Sequence, residues 1–389
     1  YMINIKVSYQ KREIEEEELT SMEENKLEFS RFYTRKKMMM MSDSIDKISV
    51  LPESILHHIL SFLDMREVVQ TCILSTKWKN IWRYVPVLNL DCFSLLKRYE
   101  KKECLSCLDI VSWILFLRHD NNGISIQKIK LSNFFNYDSD QMDTLLLFVV
   151  KKKVKEVRLR ITPLKDHHHE LPHLLFNSIL EVFELVDLRV MYSFTLPNSM
   201  CSATQLRILK LDCVILPQGN SNGELVLNYP VLEELFLKRC FHHDLKFLII
   251  CAPKLKILVI GNRHIGSCKL KICTQSLISF SLSYSFYNDY TLEDLSSLVT
   301  ATIDGYFGKL STQTLSKLLN ELRNVKTLTI SGTRRKNSPG YADILDQRLD
   351  TFSNLRCLEL IELCCGIRVV SALLRSCPYI ETIMVEESK

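Results

Sequence analysis

The sequence predicts an α/β chain in which a short helical unit is followed by a solenoid of repeated strands stacked into one parallel sheet. Two observations carry this. Amphipathic segments crowd into Leu51 to Trp82, LPESILHHILSFLDMREVVQTCILSTKWKNIW, and from Ile126 onward one apolar spacing returns eleven times. The helical unit shows more apolar surface than so small a unit can hide, so part of it needs a partner.

Taken in order, residues 1–45 hold the acidic run Glu15 to Glu18, the basic trio Arg35 to Lys37 and the methionines Met38 to Met41, without sustained periodicity. Charge blocks of this kind are solvated extensions, and the basic trio also suits a nuclear localisation signal. The first residue is Tyr1 rather than Met, so it is not expected to be the translation start.

Residues 46–91 form the helical unit. Leu51-Pro52 places a proline where its missing N–H costs nothing, and Glu53 suits the positive end of a helix. Ile55, Leu56, Ile59, Leu60 and Leu63 then fall on one broad apolar face. Asp64 is placed to cap a second helix with Val68 and Val69 on its apolar side, and Ser75 a third with Trp78, Ile81 and Trp82. Residues 92–122 read as a helical linker. Leu105, Leu108, Val111, Ile114, Leu115 and Leu117 make its helix apolar around much of its circumference, hence buried between elements, and Asp120-Asn121-Asn122-Gly123 makes a turn.

From 123 to 389 the pattern apolar, two residues, apolar, one residue, apolar begins at Ile126/Ile129/Leu131 and ends at Ile380/Ile383/Val385, with steps of 21 to 30 residues. This period and the L-x-x-L-x-L core are those of leucine-rich repeats, each contributing one strand to a parallel sheet that curves into a horseshoe with helices and loops on the convex side. Pro230, Pro253 and Pro378 each stand two residues before a repeat's first apolar position, where they stop the preceding segment. Leu315, Leu318, Leu319 and Leu322, and again Val369, Val370, Leu373 and Leu374, give helical stripes for the convex side. Ala301 weakens its unit, and the asparagine common in such repeats is largely missing, with Cys240 the clearest cysteine at that position.

Residues 51 to 91, with their Leu-Pro start, Leu-Ser before the last helix, two tryptophans four apart and Val-Pro exit, resemble the F-box of plant F-box/leucine-rich-repeat proteins. The stretches YPVLEELFL, CAPKLKILVI and SCPYIETIMV, and residues 142 to 161, resemble the repeats of the same family. The resemblance implies a substrate-recognition subunit of an SCF ubiquitin ligase, non-catalytic itself, which docks a Skp-family adaptor and through it cullin and RING subunits. It implies adaptor contacts at Leu51, Pro52, Ile55, Leu56, Ile59, Leu60, Leu74, Ser75 and Trp78. Some of these aliphatics must form the box's own core, and sequence does not separate the two sets. The extra C-terminal domain that many relatives carry has no convincing copy here.

If the L-x-L leucines point inward, the residues between them point to the concave face. That face offers a candidate target-binding surface at Lys128, Lys130, Arg158, Arg160, Lys210, Phe236, Lys238, Ser281, Thr302 and Thr329, basic early and hydroxyl-rich late. Such a surface suits an acidic or phosphorylated segment of an unknown target protein. A version of the same architecture gated by a small hormone or an inositol phosphate is the alternative, supported by the same basic residues. Equally, polar residues there would simply keep an exposed sheet face soluble.

Composition excludes several classes. Fifty Lys and Arg against 45 Asp and Glu give +5, too mild a surplus over 389 residues to argue for nucleic acid. No apolar run approaches the roughly 20 residues of a membrane helix. Fourteen cysteines sit within hydrophobic strand patterns and read as reduced core thiols, which places the protein in the cytoplasm or nucleus. Cys104 and Cys107 form a lone CxxC without the second pair that a zinc site needs. His167, His168, His169 and His173 lie beside Asp166 and Glu170, but three consecutive histidines cannot all face one ion, so this stretch reads as a polar loop. Lys151, Lys152, Lys153 and Lys155 suit phosphates, or the C-terminal end of a helix. No phosphate-loop, dinucleotide, nucleophile-elbow or zinc-protease motif occurs, so no catalytic, cofactor or metal site is expected.

Overall fold

The computed structural model describes residues 48, 50–76, 78–96, 107–118, 125–135, 139–162, 168–189, 192–261, 268–284, 289–305, 312–331, 349–361 and 374–386. The expectations for residues 1–45, Cys104, the turn at Asp120 to Gly123, Asp166, His167 and the stripe at Val369 to Leu373 lie outside them. Two compact units are distinguished. The smaller takes the described residues up to Leu60 together with Glu67–Trp82, and the larger takes Ser61–Arg66 and the described residues from Arg83 onward.

In the helical stretch, the Pro52 carbonyl accepts from the Ile55 and Leu56 amides and opens a helix over Glu53–Leu60. A second helix runs Met65–Gln70 directly after Asp64, and 3-10 turns follow at Thr71–Ile73 and Trp78–Tyr84. No helix among the described residues is long and apolar enough to cross a membrane.

The repeated apolar spacing builds a single twelve-stranded parallel sheet. Its strands, in spatial order, are β1 (Val87–Asp91), β2 (Lys128–Phe135), β3 (Glu156–Thr162), β5 (Val182–Asp187), β7 (Ile208–Asp212), β9 (Glu234–Lys238), β11 (Ile257–Gly261), β13 (Ser279–Tyr284), β15 (Thr300–Gly305), β16 (Thr327–Ser331), β17 (Cys357–Ile361) and β18 (Thr382–Glu386). Each expected repeat supplies one of them. The additional strand, β1, carries the same spacing at Val85, Leu88 and Leu90, just after the helical stretch.

Pairing is residue for residue, so side chains stack in columns. Leu209 faces Leu235, Leu235 faces Leu258 and Leu258 faces Phe280, and all four are buried. Ala301 keeps its place between Phe280 and Leu328, so the weak unit forms its strand all the same. The register shifts once, between Ser132 and Phe134 of β2, where Asn133 takes a left-handed φ of 58°. At β18 the pairing continues but Ile383 and Val385 are exposed, unlike their counterparts in the other strands.

The side opposite the polar face carries short strands in addition to the expected helices and loops. Helices do cover it where the repeat step is long, at Ser139–Lys151 and Thr312–Glu321, and the second buries Leu315, Leu318, Leu319 and Leu322. Where the step falls to 21–26 residues, the connections instead carry β8 (Glu224–Asn228), β10 (Phe247–Cys251), β12 (Lys269–Cys273) and β14 (Asp289–Glu293), a second parallel sheet. Their sequences ELVLN, FLIIC, KLKIC and DYTLE alternate, and a five-residue strand spans its distance with less chain than a helix does. A two-stranded pair, β4 (His169–Glu170) with β6 (Phe194–Thr195), continues the theme.

The linker helix Cys107–Leu117 is also less buried than its composition suggested. Val111, Ile114 and Leu115 are buried, but Trp113 and Phe116 are exposed. Arg118 follows it, buried, its Nη2 donating to the Val85 carbonyl, and burial lowers its pKa to about 10.

Cys240 fills the asparagine position as expected and takes over part of its role. The buried Sγ donates to the Lys238 carbonyl at 3.4 Å and reaches the Leu211 carbonyl at 3.8 Å, and burial holds the thiol protonated. Cys72, Cys201, Cys213, Cys251, Cys268, Cys273, Cys357 and Cys377 are free as well. Cys92 is disulfide-bonded, so the expectation of reduced thiols fails at that position.

Because Leu235 lies within the stacked columns and Val226 lies on the exposed face of the second sheet, truncating them should differ sharply. Leu235→Ala is expected to cost about 2–5 kcal/mol and Val226→Ala less than about 0.5 kcal/mol, read as shifts in the urea midpoint.

Candidate functional site

In the smaller unit, one helical turn carries two kinds of aliphatic. Leu56 and Leu60 are fully buried, whereas Ile55 and Ile59, one residue earlier in each case, are 45% and 43% exposed. Leu74 is 52% exposed, and Pro52 is exposed with Leu51 and Ser75 partly so. Trp78 is buried at 3%. Among the nine positions proposed from sequence as contacts, Leu56, Leu60 and Trp78 are removed from solvent and present no free surface as the chain stands. Ile55, Ile59, Leu74 and Pro52 offer surface as the unit stands.

The larger unit has its polar surface on the main sheet, on the side away from the leucine columns. All ten residues proposed there from sequence lie on this one face. Strand register aligns a central row, Lys130, Arg158, Glu184, Lys210, Phe236, Val259, Ser281, Thr302, Thr329 and Glu359. Lys128, Arg160 and Lys238 stand two residues to either side of it.

The basic early part is not an open cluster of cations. Glu184, its side chain 7% exposed, accepts from Arg158 Nη1 at 2.9 Å and from Arg160 Nε at 3.0 Å. Lys128 meets Glu156 at 3.0 Å and Lys210 meets Glu234 at 2.9 Å. Beyond β7, Arg239 grips both oxygens of Asp212 at 2.7 Å, which raises the guanidinium pKa. Lys210 Nζ also lies 4.3 Å from the Phe236 ring centroid, a contact worth about 0.5–1 kcal/mol at an exposed site. Sequence reasoning left out Glu184; its position between Phe183 and Leu185 was the available signal, since any residue there must join the central row.

The late part of the face carries hydroxyls. Ser279, Ser281 and Ser283 of β13 stand beside Thr300 and Thr302 of β15 and Thr327, Thr329 and Ser331 of β16. Thr329 Oγ1 donates to Glu359 Oε2 at 2.7 Å.

Of the histidines, His168 and His173 are exposed, while His169 is buried, edge-on to Phe194 with its Nε2 3.4 Å from Asp143 Oδ1. Among the described residues no three His, Cys, Asp or Glu side chains converge as metal ligands. The lysines at 151–155 close the helix Ser139–Lys151, with Lys153 at φ 54° and Lys155 paired to Glu181 at 2.7 Å. This is the arrangement of helix C-terminal charges.

Burial lowers the His169 pKa below its ordinary 6.5, with Asp143 opposing in part. A group depressed in the folded state contributes stability that is present above the unfolded value and is lost as pH falls through the folded one. Stability of the larger unit should therefore decline as pH drops below 6.5, and His169→Gln should flatten that decline in thermal melts between pH 7 and 5.

The F-box domain family matches residues 48–90, and the family described as FBD-associated F-box protein At5g56370, LRR repeats, matches residues 168–313. Among Arabidopsis thaliana proteins, F-box/LRR-repeat protein At5g38396 is 26% identical over 381 residues, covering 88% of this chain and 78% of that protein. F-box/LRR-repeat protein At3g58930 is 24% identical, with 88% and 77% covered. FBD-associated F-box protein At4g13985 is 28% identical over 247 residues, with 61% and 47% covered. With an F-box match at 48–90, a repeat-family match at 168–313 and a twelve-stranded repeat sheet, the chain is similar to the plant F-box/leucine-rich-repeat proteins.

Proposed function

We propose that this chain is the target-recognition subunit of an SCF-type ubiquitin ligase, its F-box docking a Skp-family adaptor and its repeat sheet holding the protein to be ubiquitinated. The observation that carries the reading is the exposed aliphatic set Ile55, Ile59 and Leu74 within the F-box match. Three aliphatics of that exposure in so small a unit call for a covering partner, and each contributes roughly 1.5–3 kcal/mol when fully buried.

In this reading the chain does no bond chemistry. The adaptor, cullin and RING subunits bring a ubiquitin-loaded enzyme close to the bound target, and the high local concentration drives transfer. The place of action is the cytoplasm or nucleus. A version gated by an inositol phosphate is less well supported, because Glu184 already occupies Arg158 and Arg160.

The test is capture of a purified Skp-family adaptor. Ile55→Asp combined with Leu74→Asp should weaken capture by at least about tenfold, the scale of losing a buried anchor. Leu56→Ala should lower the melting temperature instead, since it acts on the interior. A folded Ile55→Asp/Leu74→Asp variant that captures the adaptor as well as the parent would overturn the proposed contact.

A further inference from the structure

The polar sheet face is electrically two-ended. Strands β2 to β9 carry on it six cations, Lys128, Lys130, Arg158, Arg160, Lys210 and Lys238, against four carboxylates, and the pairings described above leave Lys130 and Lys238 without a carboxylate among the described residues. Strands β13 to β18 carry there the carboxylates Asp304, Glu359 and Glu386 and no Lys or Arg, and none of the three has an ion pair among the described residues. Between the two halves runs β11, which shows this face only Ile257, Val259 and Gly261, with Phe236 of β9 beside Val259. A Cβ at Gly261 would meet Ser283 at 3.6 Å and Lys238 at 3.9 Å, so the glycine leaves a shallow recess between them.

We propose that the segment recognised on this face is an extended peptide with an acidic end, an apolar middle and a basic end, its acidic end at Lys238, its apolar side chain over Phe236 and Val259, and its basic residues at Asp304 and Glu359. Charge complementarity selects this occupant. An all-acidic segment would meet the unpaired carboxylates of β15 and β17, and an all-basic one the surplus cations of β2 and β9. From β9 to β15 is three strand spacings, about 14 Å, which about four residues of extended chain cross. The acidic and basic residues should therefore stand about that far apart, with the apolar residue between them. Pairing Lys238, Asp304 and Glu359 in this way gives the free charges nearest the seam a partner of opposite sign, and the apolar seam supplies the desolvated centre typical of interfaces.

This inference rests on the reading of the sheet face as the target-holding surface, and the experiment separates the two. Fluorescent peptides with two glutamates, four apolar residues and two lysines are titrated against the full chain, alongside an all-glutamate-ended peptide, an all-lysine-ended peptide and one with a Gly-Ser middle. The two-signed apolar peptide should bind at least about tenfold tighter than the other three, and the preference should shrink as salt rises. In the Asp304→Lys/Glu359→Lys variant the order should invert, with the all-glutamate-ended peptide now preferred; that gain of binding also shows that the variant is folded. Equal affinity for all four peptides, or an unchanged order in the variant, overturns the proposal. Adaptor capture by the same preparation reports on the receptor reading independently: captured adaptor with no peptide preference sinks the charge pattern alone, and lost capture sinks the receptor reading alone.

Discussion

In a parallel sheet the inward side chains of one strand must meet those of the next at the same height, and here that requirement runs unbroken through most of the larger unit. Leu209, Leu235, Leu258 and Phe280 stand level because their strands pair residue for residue. The side-chain period of two leaves no intermediate setting, since a slip of one residue would turn a leucine column into the polar face. Variation is thus pushed into the connections. Steps between repeats range from 21 to 30 residues while the strands stay in register, and the extra or missing chain shows up as a helix where there is room and a short strand where there is not.

The same register that stacks leucines also stacks whatever lies between them. A row of like charges at strand spacing of about 4.8 Å would repel along its whole length, and the chain answers with Glu184 set level with Arg158 and Lys210. The carboxylate is nearly buried and serves two arginines, so its removal would leave cations facing each other. Further along, the row gives up charge altogether and uses Val259, Ser281 and Thr302. Surface charge in this fold is therefore governed by which residues become neighbours through the ladder, not by local composition, and a run that looks basic in sequence is largely neutralised in space.

That distinction explains what was legible beforehand. The triads Leu206/Leu209/Leu211 and their relatives announce themselves because each repeat must satisfy the same column, so eleven agreeing copies reinforce one another. β1 was passed over although Val85, Leu88 and Leu90 carry the spacing, because in sequence it directly follows the helical stretch and precedes the long array. The second sheet was missed for a different reason: FLIIC and KLKIC are five residues long, too short for periodicity to separate strand from irregular chain. Exposure of Trp113 and Phe116 escaped notice because hydrophobicity around a helix says what would gain from burial, not whether a neighbour exists to provide it.

The smaller unit presents that last difficulty in its sharpest form. On a helix, adjacent residues are 100° apart, so Ile55 and Leu56, and again Ile59 and Leu60, belong to one wide apolar stripe. A stripe no broader than the unit's own interior would have Leu56 and Leu60 alone; the added isoleucines widen it past what the interior can take, and they emerge at its margin. Buried and exposed aliphatics are thus continuous with each other. The leucines hold the helix in place, and the isoleucines are thereby presented on a rigid element with little rotamer freedom left to lose on binding, since β-branched side chains are stiff at χ1. That arrangement lowers the ordering cost of association, so more of the burial energy of the isoleucines is left to appear as affinity.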